Sequence, residues 1–237
     1  MVTIASLIEC EEECEVVFDD IDNVSQYLST YLPGFELLPI VRAIHNFGSQ
    51  HDILFDSISV ALEGVALRME WFAREGNSDF LLERTLLVRN GVKTAVHNYF
   101  TLPFRLQGKG LAPQILRPFY LQYKAASIAQ IELTAAKSIG GYIWAVAGFA
   151  AVDKQEVESI LEIGRLREIP YSSLKLYYEV FQGFYTNNPI ETPFPMRLLA
   201  TLPNGKTLLK NSVWRGLLNL LDSNQTAIFE SYLSKSS

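Results

Sequence analysis

The feature that most constrains the fold is a run of four extended segments in the first half of the chain, broken only by turn residues. Ile58 to Leu62, Val65 to Ala73, Phe80 to Arg89 and Val92 to Leu102 are each of strand length and rich in β-branched and aromatic side chains. Glu63-Gly64, Glu75-Gly76-Asn77 and Asn90-Gly91 separate them. Asn-Gly between two such runs predicts a tight hairpin, because both residues accept the positive φ of a type I′ turn. The four segments therefore read as an antiparallel meander. The last of them passes Pro103 into Arg105-x-x-Gly108-x-Gly110, and an apolar segment of helical length, Leu111 to Ala126, follows at once.

Strand, glycine loop and helix in that order make an anion cradle. The glycines admit backbone conformations closed to other residues and let a ligand approach the chain closely. Successive amide N–H groups then converge on one point, where the helix dipole adds its positive end. A pyrophosphate suits such a place. Pro113 falls in the first turn of the expected helix, where it does no harm, whereas Pro118 inside it is expected to kink or shorten it.

This stretch resembles the signature of the GNAT superfamily of acyl-CoA-dependent N-acyltransferases, whose loop reads Gln or Arg-x-x-Gly-x-Gly or Ala at the end of the fourth strand. The surroundings add to it. Ser127 to Thr134 reads as the strand that follows the helix, and Gly140 to Phe149 ends in the Gly-Phe that closes the family's next helix. The resemblance covers residues 50 to 150 well and the rest poorly. It implies an α+β fold with a mixed, mostly antiparallel central sheet flanked by helices. A single domain over residues 1–237 would then have its core at about 14–150, a helical elaboration at about 153–190, and a closing hairpin with a C-terminal helix at about 193–235.

Outside the meander the punctuation is also informative. Val16-Val17-Phe18 reads as a first strand, and Asp19, Asp20 and Asp22 offer capping oxygens for a helix through Tyr31, which Pro33-Gly34 ends. A second helix is expected from Pro39 to Phe47. Asp153 to Glu168 and Tyr171 to Thr186 read as an added helical pair, a natural place for acceptor specificity. The aromatic residues Tyr177, Tyr178, Phe181, Phe184 and Tyr185 equally suit burial of one helix face. Met196 to Leu202, Pro203-Asn204-Gly205 and Lys206 to Lys210 read as the closing hairpin. Asp222, with Gln225 three residues on, resembles a capping box for a helix to Leu233.

Charge and composition exclude some functions. A net charge of -6 argues against a sequence-independent nucleic-acid binder. Locally, Arg105, Lys109, Arg117 and Lys124 cluster around the glycine loop, although Arg117 and Lys124 equally suit a solvated helix face. No secretory signal is apparent, and the longest apolar run, Ile139 to Val152, is too short for a membrane span. Cys10 and Cys14, at i, i+4 in an acidic run, read as unpaired thiols of a cytoplasmic protein rather than a disulfide or a metal site.

The resemblance implies direct acyl transfer from acyl-CoA to a primary amine of a small molecule or peptide, with no metal. The acyl group would be acetyl or a longer fatty chain. Some divergent GNAT-like enzymes put fatty acyl groups on side-chain amines of ribosomally made peptides, which gives peptide maturation as one setting. In the family the fourth strand splays from the fifth, pairs with pantetheine and supplies an N–H to the thioester oxygen. Tyr99, Phe100, Thr101 and Leu102 occupy that position. Arg105 belongs to the signature, and the amides of Gln107, Gly108, Lys109, Gly110, Leu111 and Ala112 would hold the pyrophosphate.

For the base there are two candidates. His97 lies on the strand before the loop, and imidazole titrates near working pH. Glu132 stands in an otherwise apolar strand, where burial would favour taking a proton. Either has a plainer reading, His97 as a satisfied core or surface residue and Glu132 as a solvent-facing position. The tyrosine that many relatives place four residues before Gly-Phe, to protonate the departing thiolate, is Trp144 here, and indole cannot do this. Tyr142 is the nearest substitute. That departure favours an alternative in which a GNAT-like fold binds or scaffolds without catalysis. A relaxed Walker A pattern, Ala200 to Thr207, lacks the large parallel sheet to which a P-loop belongs, and the residues after it read as extended rather than helical.

Overall fold

Alternation of buried and half-buried residues along residues 57–101 is realised as the meander: β2 (Ser57–Glu63), β3 (Ala66–Ala73), β4 (Phe80–Arg89) and β5 (Val92–Thr101). These strands come from a computed structural model that describes residues 16–18, 20–74 and 78–235. Cys10, Cys14, Asp19 and the Glu75-Gly76-Asn77 turn lie outside the described residues. Asn90 and Gly91 take φ of 53° and 78°, the mirror-image turn that their chemistry predicts. β1 (Val16–Phe18) runs parallel to β2 with Val16 beside Ile58, and the remaining pairs to β5 are antiparallel. The result is an α+β protein with mostly antiparallel strands. Contacts divide the described chain into two compact units, one running to Ala129 and the other from Gln130 to Tyr232.

In the first unit, α1 (Ile21–Tyr31), α2 (Leu37–Gln50) and α3 (Ala112–Ala125) accompany the meander. Asp20 is the N-cap of α1 and accepts from Asn23 N at 3.0 Å. Tyr27 Oη anchors α1 by donating to the carbonyls of Val65 and Leu86, both at 3.1 Å. Trp71, Phe80 and Leu82 form the apolar face of the strands; Phe47 of α2 meets Phe80, and Phe119 of α3 meets Trp71 edge-on at 5.5 Å. The opposite face is charged, with Arg68 bridging Glu63, Glu70 and Glu83. α3 runs unbroken through Pro118 as far as Ala125, so the expected shortening does not occur there. One lost hydrogen bond is outweighed by burial of Ile115, Leu116, Phe119, Tyr120 and Tyr123, since packing of an apolar face supplies most of a helix's stability.

The second unit begins with β6 (Gln130–Ala135) and α4 (Lys137–Val146). α4 closes as its Gly-Phe predicts. Gly148 takes φ of 101°, its N–H reaches Ala145 O, the Phe149 N–H reaches back to Trp144 O, and the two rings meet at 5.3 Å. β7 (Ala150–Ala151), α5 (Lys154–Gly164) and α6 (Tyr171–Asn187) follow, the last two forming the expected helical pair. The expected hairpin over residues 196–210 is absent. After β8 (Phe194–Pro195) the chain forms two short helices, α7 (Arg197–Ala200) and α8 (Gly205–Leu209), before β9 (Trp214–Asn219) and α9 (Ser223–Leu233).

Two facts explain that correction. Met196, Leu199 and Ala200 are buried at i, i+3 and i+4, a helical spacing. Asn204 alone of the Asn-Gly pair takes a positive φ, 64°, while Gly205 sits where a Cβ would lie 2.4 Å from Leu199 O. The sheet of this unit therefore orders as β6-β9-β7-β8, antiparallel throughout. Asp222 caps α9 as expected, accepting from Asn224 N and Gln225 N, but Gln225 Oε1 accepts from Asn219 N rather than closing a capping box. No helix among the described residues is long and apolar enough to cross a membrane.

Candidate functional site

The glycine loop lies in the first unit, between the end of β5 and α3, and it follows the fifth strand of the chain rather than the fourth. Pro103 starts a single turn of 3₁₀ helix, Phe104–Leu106, which swings the chain off the strand. Gly108 and Gly110 then both take φ of 73°, and a Cβ on either would meet nothing within 4 Å. Residues 107–110 are exposed. Among the described residues the amides of Gly108, Lys109, Gly110, Leu111 and Ala112 have no acceptor, which leaves five successive N–H groups without a protein partner at the N-terminus of a 14-residue helix. That donor set fits a diphosphate.

Two members of the predicted set serve the protein instead. Gln107 N is engaged at 3.2 Å with the carbonyls of Pro103 and Phe104, and its side chain donates to Leu102 O at 2.7 Å. Arg105 Nη2 donates to His51 O and Asp52 O, just beyond α2, so this guanidinium braces the loop against the negative end of that helix. Lys109 is exposed within the loop and Arg117 on α3, while Lys124 lies over the Tyr120 ring at 5.5 Å.

Upstream, β5 carries an irregularity. Glu83 stands opposite Tyr99 and Arg84 opposite His97, which leaves Asn98 as an extra residue. Alternation slips with it. His97 is buried, Asn98 and Tyr99 are both exposed, and the Phe100 ring turns back to lie 5.9 Å from Arg84 Cζ. Thr101 is half-buried and pairs with Leu81, and Leu102 is buried.

The structure places His97 under α3, only 5% exposed, with Nε2 3.1 Å from Tyr123 Oη. Burial first, and then the positive Arg84, hold the imidazole well below its ordinary range, so it is neutral at working pH. The same burial raises the Tyr123 phenol far above its ordinary value. Arg84 itself is fully buried and drops to about 10 through desolvation, which leaves it charged at neutral pH. Tyr123 acts on the guanidinium electrostatically, and among the described residues Arg84 Nε and Nη2 meet no acceptor in hydrogen-bond geometry. Sequence reasoning missed Arg84 and Tyr123. The signal for Arg84 was there: Phe80, Leu82 and Leu86 mark the apolar parity of β4, and Arg84 shares it.

In the second unit, Glu132 is half-buried on β6 and accepts from Gln130 Nε2 at 2.9 Å. Tyr142 is half-buried on α4, two residues before Trp144, whose ring is the partner of Phe149 at the helix end. Two open depressions of about 610 and 720 Å³ flank α6. Tyr171 and Tyr178 line the first; Glu158, Phe181 and Tyr185 line the second, where Lys154 Nζ sits 5.1 Å from the Tyr185 ring. The relaxed Walker A residues do open a helix, contrary to the extended reading, but α8 has five residues and α7, not a strand, precedes it. Comparison with known proteins finds no family model and no curated protein that matches the chain.

Proposed function

We propose that the chain is an acyl-CoA-dependent N-acyltransferase that moves an acetyl or longer fatty acyl group to a primary amine of a small molecule or peptide. One observation carries this reading: the five amides of Gly108 to Ala112 that lack acceptors, opened by two glycines at φ of 73°. They would hold the coenzyme's pyrophosphate, with Lys109 in the same loop adding a positive charge. Residues Tyr99 to Leu102 would offer backbone to the pantetheine. The amine attacks the thioester carbon, the C–S bond breaks, the thiolate leaves, and the amine gives up a proton. Of the two candidate bases, His97 is 5% exposed with Nε2 against Tyr123 Oη, which leaves Glu132 as the residue proposed to take that proton.

A second reading, a binding protein of the same fold without catalysis, is favoured by Trp144. Its ring is committed to Phe149 at the position where an acid is expected. Calorimetry with coenzyme A and with acetyl, decanoyl and palmitoyl thioesters, alongside thiol release in the presence of amines, separates the two. Binding lost in Gly108→Trp together with thiol release supports the transferase, binding without release supports the second reading, and no binding to any thioester refutes both uses of the loop.

A further inference from the structure

The irregular features of the first unit meet at Arg84. Its guanidinium occupies the apolar parity of β4 and is 0% exposed, and among the described residues it makes no ion pair. A buried cation at such a position is seldom worth its desolvation, and an apolar side chain of similar volume is often the more stable choice. Stability therefore does not account for it. What holds the group is Nη1, which donates at 2.7 Å both to Glu83 O and to Tyr99 O. The Phe100 and Phe119 rings lie 5.9 and 5.5 Å from Cζ. Glu83 and Tyr99 are the facing residues at which the ladder slips around Asn98. One side chain thus clasps both carbonyls that the bulge disturbs.

The Tyr99–Phe100 peptide is planar, and no cis bond occurs among the described residues. A carbonyl held by Arg84 therefore turns the Phe100 N–H to the opposite side. We propose that Arg84 is a positioning residue for acyl transfer: by clasping the Tyr99 carbonyl it fixes the bulge and aims the Phe100 N–H at the thioester oxygen. This rests on the acyltransferase reading. Arg84 touches no reacting atom. Its part is to hold a backbone donor in advance, so that no reorganisation is needed when negative charge grows on the oxygen.

The test uses the full chain with Arg84→Met, which removes the donors at similar volume, and Arg84→Lys, whose ammonium keeps the charge but not the fork. Acyl-CoA affinity, kcat, KM and amide exchange along β5 are measured together. In Arg84→Met, exchange at residues 98–101 is expected to quicken at least about tenfold, and kcat to fall about a hundredfold with little change in acyl-CoA affinity, because the loop still holds the coenzyme. Arg84→Lys is expected to lie between the two, with kcat down about tenfold. If Arg84→Met does not fold, Arg84→Lys carries the test. Unchanged kcat in the folded variants overturns the inference. So does a parallel loss of affinity, kcat and global stability with no local change in exchange, the mark of a merely structural residue. Failure of the wild-type chain to bind any acyl-CoA is a different result: it overturns the acyltransferase reading and the inference built on it, while the exchange data still report whether Arg84 holds the bulge.

Discussion

Lowering the pH should destabilise this protein through His97 in a window where most carboxylates are still ionised. In the unfolded chain the ring titrates at its ordinary value of 6.5, whereas in the fold burial, and then the charge of Arg84, hold it well below that. Arg84, at about 10, remains charged throughout, so its repulsion does not vary across the window. The unfolded chain binds the proton that the folded chain refuses. Stability is therefore complete above the ordinary value and falls as pH drops through it, for as long as the folded ring stays neutral. The loss follows RT ln(1 + 10^(6.5−pH)), which is on the order of 1 kcal/mol between pH 7.5 and pH 5.5. Urea unfolding at the two pH values, followed by tryptophan fluorescence, measures it. His97→Gln, which keeps an acceptor near Tyr123, should flatten the difference by that amount, and comparison with this variant isolates the contribution of His97. Equal pH slopes in wild type and variant would refute the reasoning, as would an NMR titration that places the folded His97 at an ordinary midpoint.

Other expectations are more local. Gly34 takes φ of 90° and a Cβ there would stand 2.7 Å from Ala125 O, whereas Gly64 takes φ of 62° with nothing within 4 Å. Gly64→Ala should therefore cost only backbone strain, about 1 kcal/mol, and Gly34→Ala at least about twice that, as thermal unfolding would show. Equal losses would mean that the α3 carbonyl yields freely. Gly110→Ala should weaken coenzyme A binding about tenfold or more by straining the loop, with little effect on global stability, and calorimetry beside thermal unfolding checks both. Under the transferase reading Glu132→Gln should lower kcat by about a hundredfold or more near neutral pH, while His97→Gln should change kcat less. A larger effect at His97 would return the proton to the histidine.

How far local chemistry can be trusted here is clearest where one dipeptide occurs twice. Asn90-Gly91 and Asn204-Gly205 each follow a strand-like apolar run, and both read as hairpin turns. At Asn90-Gly91 both residues take positive φ, because Val88 to Arg89 and Val92 to Lys93 can pair across the turn. At Asn204-Gly205 only Asn204 does, and the leucines on either side satisfy burial with helical rather than alternating spacing. The turn residues allow either outcome, and the period of the flanking apolar residues decides between them. The positive φ of Gly108 and Gly110 was legible for the same reason that the Asn90-Gly91 turn was, since it is a property of their own backbone. The partners of Arg105, Gln107 and Arg84 were not, because each is a carbonyl, and every residue in the chain has one. A guanidinium drawn to His51 O or Tyr99 O leaves no mark on the residue that receives it. What such a contact does leave is an anomaly at the donor, a charged side chain on an apolar parity. In this chain that anomaly, at Arg84, marks the place where the sheet departs from regular pairing.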